Sequence, residues 1–100
     1  MVDLARVTGF QWDAANARKS EDKHSVTQLE AEQVFFNAPL LLVEDAKHSQ
    51  AEPRHQALGA SSGGRLLHVS FTLREDATLI GVISARPMSR KERMRYAEKA

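Results

Sequence analysis

Two stretches of the 100-residue chain carry side chains that can move protons or bind anions. His48, Glu52 and Arg54 share one polar segment, and Ser84 and Arg86 stand where an apolar run ends. Histidine is the usual acid or base because its pKa lies near neutrality, and a carboxylate can take the same role. The planar guanidinium of arginine can give a phosphate two charge-assisted hydrogen bonds. The pattern therefore indicates proton transfer beside a bound phosphate or another polyanion.

Each of these residues also has a plainer interpretation. His48 can be a loop histidine without a role, and Glu52 with Arg54 can form a surface ion pair that contributes about 0 to 1 kcal/mol. Arg86 can simply tie the end of a strand to the helix that follows it. Residue type alone leaves both interpretations open.

Four more residues can act in binding or only in structure. Lys23 and His24 end the first predicted helix, where a cation also interacts favourably with the helix dipole. His68 falls on the polar side of a predicted strand and is expected to be structural. Tyr96 lies four residues after Glu92 on one helical face, so its ring can pack in the core or stack on a splayed base.

No metal site or other cofactor is expected. Asp45, His48, Glu52 and His55 could offer ligands, but their spacing matches no standard zinc pattern. The chain has no cysteine, which excludes a disulfide scaffold and thiol chemistry.

Charge is distributed unevenly along the chain. Residues 86–99 hold six basic and two acidic residues, a net charge of +4, whereas residues 1–85 carry −3. Arg90 and Arg93 belong to this basic tail, which is either a solvated helix or part of a polyanion-binding surface.

Composition indicates one globular domain. Hydrophobic residues make up 42% of the chain and charged residues 27%, and the length suits a single core. We expect a loosely held leader over residues 1–9 and one domain over residues 10–100. No signal peptide and no run of membrane-spanning length is present, so a cytoplasmic protein without membrane contact is expected.

Helix boundaries are marked by capping residues. Asp13 is a suitable N-cap for a helix over residues 14–23, and Thr27 with Glu30 forms a capping box before a second helix that runs to about Asn37. A third helix begins at Ser89, which pairs with Glu92 in the same pattern.

The strands are predicted from apolar runs and period-2 alternation. A short edge strand is possible over residues 10–12. Residues 40–43 read as a strand buried on both faces, and residues 54–59, 65–73 and 78–85 follow as a meander with a turn at residues 61–64. The predicted fold is α+β, with two N-terminal helices, a four-stranded antiparallel sheet and a C-terminal helix.

Together, a series of short motifs resembles the BrnT family of toxins, although no single motif is specific. The matching segments run in order from about residue 10 to residue 97: Phe10-Gln11-Trp12-Asp13, Lys23-His24, Val34-Phe35, Glu44-Asp45, His48-Ser49, Glu52, Arg54, Ala57-Leu58-Gly59, Gly64-Arg65-Leu66-Leu67, Ile83-Ser84-Ala85-Arg86, Glu92 and Tyr96.

The resemblance implies a RelE-like fold and a metal-independent ribonuclease that inhibits translation. It also implies a BrnA-like antitoxin with a ribbon-helix-helix domain, and operator DNA contacted only through that antitoxin. Metal-free RNA cleavage needs a base for the ribose 2′-OH, cations for the phosphate and an acid for the leaving oxygen. We expect His48, Glu52, Arg54 and Arg86 to be catalytic, and RNA to contact a second set of residues: Lys23, His24, Ser84, Arg90, Arg93 and Tyr96.

The chain departs from the usual family pattern at four positions. Asn16 replaces a lysine, Ser20 an asparagine, Ser25 a glycine and Gly81 an arginine. The cation missing at Gly81 leaves a second function open: a catalytically weak protein that binds its antitoxin and acts mainly as a transcriptional co-repressor.

Overall fold

The computed structural model describes residues 4–45 and 53–99, which form a five-stranded sheet and three helices. The strands are β1 (Gly9–Trp12), β2 (Leu41–Asp45), β3 (Arg54–Ala60), β4 (Leu66–Arg74) and β5 (Leu79–Pro87). The helices are α1 (Ala14–His24), α2 (Gln28–Gln33) and α3 (Arg90–Lys99).

The sheet order is β1-β5-β4-β3-β2, so the predicted four-stranded antiparallel sheet was incomplete. Strands β2 to β5 form the expected antiparallel meander. Strand β1 adds a fifth, edge position by pairing in parallel with β5, from Gly9 opposite Leu79 to Trp12 opposite Val82. This pairing joins segments about 70 residues apart, which local patterns do not reveal.

Strand β2 was expected to be buried on both faces, and this prediction was wrong. It lies at the other edge of the sheet, and Leu41, Leu42 and Val43 are only half-buried. Neighbouring apolar side chains of β2 point to opposite faces of the sheet. Leu42 packs against the main core, and Leu41 packs against a smaller cluster below α3.

All three predicted caps are present. The Asp13 carboxylate accepts a hydrogen bond from the Ala15 N–H (2.8 Å). Thr27 and Glu30 exchange side-chain to backbone hydrogen bonds at the start of α2. That helix ends at Gln33, short of the predicted Asn37, and turns continue to Pro39. The predicted turn over residues 61–64 is confirmed, with Gly64 at a positive φ of 84°.

The main core lies between α2 and one face of the sheet. Val26, Ala31 and Val34 are fully buried and cover that face. Leu4 and Val7, in the segment expected to be a loose leader, pack against the same core, and the Thr8 N–H donates to the Thr78 carbonyl (2.8 Å). The sheet contributes the remaining buried residues: Ala57, Leu67, Val69, Phe71, Ile80, Val82 and Ala85.

A β-bulge in β5 changes which side chains face this core. Phe71 pairs with Val82, but Ser70 pairs with Ser84, so Ile83 is an extra residue. Ile80 and Val82 face the core before the bulge and Ala85 faces it afterwards. The bulge therefore turns Ser84 and Arg86 to the opposite face of the sheet, where the candidate site lies.

Candidate functional site

The sheet face opposite the main core is rich in polar side chains. Cross-strand pairing places His68 beside Arg86, Ser70 beside Ser84 and Thr72 beside Arg54. Helix α3 covers one end of this face through Leu58, Met88 and Tyr96. We call this side of the sheet the polar face, and apart from the residues packed below α3 it comprises Gln11, Arg54, Gln56, His68, Ser70, Thr72, Arg74, Gly81, Ser84 and Arg86.

Three of the residues predicted to act on RNA share the polar face: Arg54, Ser84 and Arg86. Arg54 and Arg86 lie on β3 and β5 with β4 between them, and their partners on β4, Thr72 and His68, are four residues apart. Strand geometry therefore separates the two Cα atoms by about 16 Å. His48 and Glu52, the other predicted catalytic residues, lie outside the described residues.

Arg86 is tied to helix α3. Its Nη1 and Nη2 donate to Oε1 and Oε2 of Glu92, each at 2.8 Å, in a two-pronged ion pair. Nη1 also donates to the Pro87 carbonyl (3.2 Å). Glu92 accepts from the Ser89 N–H (2.8 Å) and thereby completes the predicted capping box. These contacts agree with the plainer of the two interpretations of Arg86, in which its side chain links the end of a strand to the helix that follows.

The electrostatics of the pair favour its charged form. Burial alone would raise the pKa of Glu92, but hydrogen bonds from Arg86 and the Ser89 N–H, with the nearby His68 and Arg86 charges, lower that pKa to about 2. The hydrogen bond to Glu92 raises the pKa of Arg86 against the opposing effect of burial. Arg86 is therefore a permanent cation whose phosphate-binding fork is occupied by a carboxylate.

His68 lies next to this ion pair. The residue is 5% exposed, and its Nε2 is 3.8 Å from Oε2 of Glu92. Sequence reasoning treated His68 as structural, and its burial under α3 agrees with that role. Its position on β4, directly opposite Arg86 on β5, still gives the polar face a histidine beside the ion pair.

The other predicted RNA contacts on α3 have two different environments. Arg90 and Arg93 are exposed. Tyr96 is 8% exposed, and its hydroxyl donates to the Pro39 carbonyl (2.6 Å). Burial also raises the pKa of Tyr96. The ring therefore packs in the core, which was the plainer of its two interpretations.

Lys23 and His24 are the last two residues of α1, and the backbone carbonyl of His24 has a structural role. The guanidinium of Arg65 donates to the His24 carbonyl (3.1 Å) and the Ser25 carbonyl (2.7 Å). Arg65 also pairs with Glu30 at 3.2 Å. The carbonyls at the end of α1 are thus satisfied by a side chain from the turn before β4.

Two of the departures from the family pattern have structural roles near α1. Ser20 is 2% exposed, and its hydroxyl oxygen accepts a hydrogen bond from the Ala85 N–H (3.0 Å). Because β1 pairs with β5 only as far as Val82, α1 satisfies the backbone beyond that point. Ser25 ends α1 in the left-handed conformation, with φ 53° and ψ 34°, where glycine is unstrained.

The third departure, Gly81, leaves space that a neighbouring cation fills. A Cβ at Gly81 would come within 2.8 Å of Nε and 2.9 Å of Cδ of Arg74. The Arg74 side chain thus crosses from β4 over the backbone of β5, and its Nη1 donates to Oε1 of Gln11 on β1 (3.2 Å). Sequence reasoning did not select Arg74, although a glycine within an apolar strand signals a close approach.

A pocket of about 410 Å³ lies elsewhere, between the N-terminal segment and the end of α2. Among the described residues that line it, the ionisable one is Glu32, which accepts a hydrogen bond from the Trp12 indole N–H (2.8 Å). The other described lining residues are mainly apolar, so this carboxylate has no cation or second acid-base group beside it there. The polar face, which carries several arginines, is therefore the better candidate for the functional site. The pocket is lined by Leu4, Val7, Thr8, Gly9, Phe10, Glu32, Phe35, Phe36 and Ile80.

Within residues 4–45 and 53–99, no three His, Asp or Glu side chains are grouped so as to hold a metal ion. No helix in that part of the chain is both long and apolar enough to cross a membrane.

The fold and the polar face define a small α+β protein that presents arginines on one sheet surface. The family described as "Ribonuclease toxin, BrnT, of type II toxin-antitoxin system" matches residues 12–92. The chain therefore belongs to the BrnT toxin family, as the motifs indicated, and this membership implies an antitoxin partner and an RNA target.

The fold is similar to a crystal structure of the ribonuclease toxin BrnT of Brucella abortus. The TM-score is 0.62 and the sequence identity is 21%, over 84% of this chain and 100% of that chain. At this identity the comparison supports the shared fold. No curated protein matches the sequence.

Proposed function

We propose that this protein cleaves RNA without a metal ion and so inhibits translation in the cytoplasm. The observation that carries the proposal is the placement of Arg54, Ser84 and Arg86 on the same polar face of a chain that belongs to the BrnT family. We also propose that the fold is RelE-like and that the partner is a BrnA-like antitoxin with a ribbon-helix-helix domain. In the toxin-antitoxin complex, the antitoxin would contact the operator DNA.

The proposed reaction uses the RNA's own 2′-hydroxyl as the nucleophile. A base, His48 or Glu52, removes the 2′-OH proton, and the oxygen attacks the adjacent phosphorus while the bond to the 5′-oxygen breaks. The other group protonates the leaving 5′-oxygen. Arg54 and Arg86 hold phosphates of the bound strand and stabilise the negative charge that builds during the reaction. Lys23, His24, Arg90 and Arg93 contact flanking backbone.

For Arg86 to contact phosphate, the carboxylate of Glu92 must share or release the guanidinium. An RNA phosphodiester carries one negative charge, as a carboxylate does, and offers the same paired acceptors. RNA binding therefore competes with an ion pair that already exists in the free protein. The 2.8 Å pair fixes the position of Arg86 until substrate arrives.

The test is incubation of purified protein with RNA in EDTA. We expect cleavage that is lost in Arg86→Ala and in His48→Ala while circular dichroism shows an unchanged fold. An active His48→Ala protein would remove that residue from the mechanism. Absence of cleavage by the wild-type protein would contradict the proposed activity. Growth arrest on expression, relieved by co-expression of the neighbouring open reading frame, tests the toxin role in cells.

The Arg86–Glu92 pair also favours a second function. If Glu92 keeps Arg86 from phosphate, the protein acts mainly by binding its antitoxin and co-repressing transcription. A wild-type protein that forms a stable antitoxin complex and strengthens operator binding, but leaves RNA intact, would support this alternative.

A further inference from the structure

We infer that Arg74 is an RNA-phosphate-binding residue, placed on the polar face by Gly81. This inference rests on the proposed function and assigns a residue that the sequence did not indicate. The observation behind it is the position of the Arg74 side chain, whose Nε and Cδ occupy the space that a Cβ at Gly81 would need.

The placement of the guanidinium depends on both neighbouring strands. Gly81 lets the side chain lie directly on the backbone of β5, and Gln11 on β1 accepts a hydrogen bond from Nη1 at 3.2 Å. Gln11 is exposed and Arg74 half-buried, so the group lies at the surface of the sheet. An arginine stem held along its length loses less rotational entropy when the fork binds a ligand.

The position of Arg74 extends the row of cations across the sheet. Thr72 lies opposite both Arg54 on β3 and Gly81 on β5. The Arg54 Cα and the backbone beneath the Arg74 guanidinium are thus two strand spacings apart, about 10 Å. Arg86 stands further along β5. Three guanidinium groups at such separations suit successive phosphates of a single strand better than one phosphate.

The binding test uses fluorescein-labelled, 2′-O-methyl single-stranded RNA in EDTA. This RNA cannot be cleaved through its 2′ position, so anisotropy measures affinity separately from activity. Arg74→Gln keeps the length and the hydrogen-bonding ability of the side chain but removes the charge. We expect affinity to fall about ten-fold, and the salt dependence of log K to lose about 0.7 in slope, the value for one phosphate contact on a single strand.

Two further variants test whether the position of the Arg74 guanidinium matters for binding, in addition to its charge. Gly81→Ala leaves net charge unchanged but forces the Arg74 side chain off β5, so we expect weaker binding. Arg74→Ala/Gly81→Arg moves the guanidinium from β4 to β5 on the same face, and we expect it to recover most of the affinity. Arg18→Gln on the exposed surface of α1 and Gly63→Ala in the turn before β4 are the matched controls, and both should bind like the wild type.

Each outcome has a definite meaning. If Arg74→Gln and Gly81→Ala bind as tightly as their controls while Arg54→Ala and Arg86→Ala bind weakly, the inference about Arg74 fails and the proposed function stands. If the wild-type protein neither binds nor cleaves RNA, both fail together. If Arg74→Gln does not fold, Gly81→Ala and the relocated variant decide the question, because both retain the guanidinium.

Discussion

At the scale of single residues, the contact between Arg86 and Glu92 links strand β5 to helix α3. Its hydrogen bonds are short and paired, and Glu92 also caps the helix by accepting from the Ser89 N–H. One carboxylate therefore holds a candidate phosphate-binding arginine and starts the helix beside it. This double role makes Glu92 the residue whose protonation has the clearest expected effect.

Glu92→Gln keeps an oxygen that can cap α3 but removes the ion pair. We expect the free energy of unfolding at pH 7 to fall by about 1 to 2 kcal/mol, less than the full pKa shift implies because both side chains are partly exposed to solvent. Urea unfolding measures the change. Glu98→Gln, on the exposed surface of the same helix, is the control and should leave stability unaltered.

The same contact should make stability depend on pH in the acid range. The pKa of Glu92 is about 2 in the folded protein, below its unfolded value, so the folded state binds fewer protons. The contribution is therefore complete above about pH 5 and is lost as the pH falls towards 2. The difference between wild type and Glu92→Gln should shrink over that interval, and a difference that stays constant would contradict the assignment.

At the scale of elements, the end of α1 is held by a combination of backbone conformation and side-chain contacts. Ser25 adopts the left-handed conformation while its N–H donates to the Glu21 carbonyl (3.0 Å), and Arg65 donates to the Ser25 carbonyl. These hydrogen bonds fix the direction in which the chain leaves α1 for α2. They also hold a serine in a conformation that is costly for residues with a Cβ.

Ser25→Gly should relieve that cost. We expect the free energy of unfolding to rise by about 0.5 to 1 kcal/mol, since glycine gains in the folded state but loses more entropy on folding. Thermal and urea unfolding measure the change. Ser25→Ala is the matched variant, because it removes the hydroxyl while keeping a Cβ. A stabilisation of the same size in Ser25→Ala would show that the backbone conformation is not the cause.

At the scale of the whole molecule, charge is organised by the sheet as well as by the tail. The basic tail places Arg90 and Arg93 on exposed positions of α3, whereas Arg54, Arg74 and Arg86 reach one face from three different strands. The tail was visible in the composition. Arg54 and Arg74 lie close to acidic residues in the sequence, and they share a face with Arg86, the first residue of the tail, only after the strands pair.

Salt should therefore weaken RNA binding in proportion to the phosphates contacted. Three sheet arginines predict a slope of about −2 for log K against log salt concentration on single-stranded RNA, and contacts from α3 would make it steeper. Anisotropy titrations over a series of KCl concentrations measure the slope. A slope near zero would contradict binding through the phosphate backbone.

Sequence alone determined the positions of the helices and of most strands, because caps, turns and apolar periods act over a few residues. Asp13, the Thr27–Glu30 pair and the Ser89–Glu92 pair each start a helix where predicted. The motifs also identified the family, which the match over residues 12–92 confirms. These features need no knowledge of which segments meet in space.

Only the tertiary structure decided how the edge strand β1 pairs and which residues make up the polar face. The parallel pairing of β1 with β5 joins residues about 70 positions apart, and the bulge at Ile83 reverses a period-2 pattern in which both sets of side chains are mostly apolar. The place of Arg74 over Gly81 depends on the pairing of β4 with β5, and its hydrogen bond to Gln11 depends on the pairing of β1 with β5. Contacts between distant segments arise from packing the whole sheet, so residue types along the chain do not specify them.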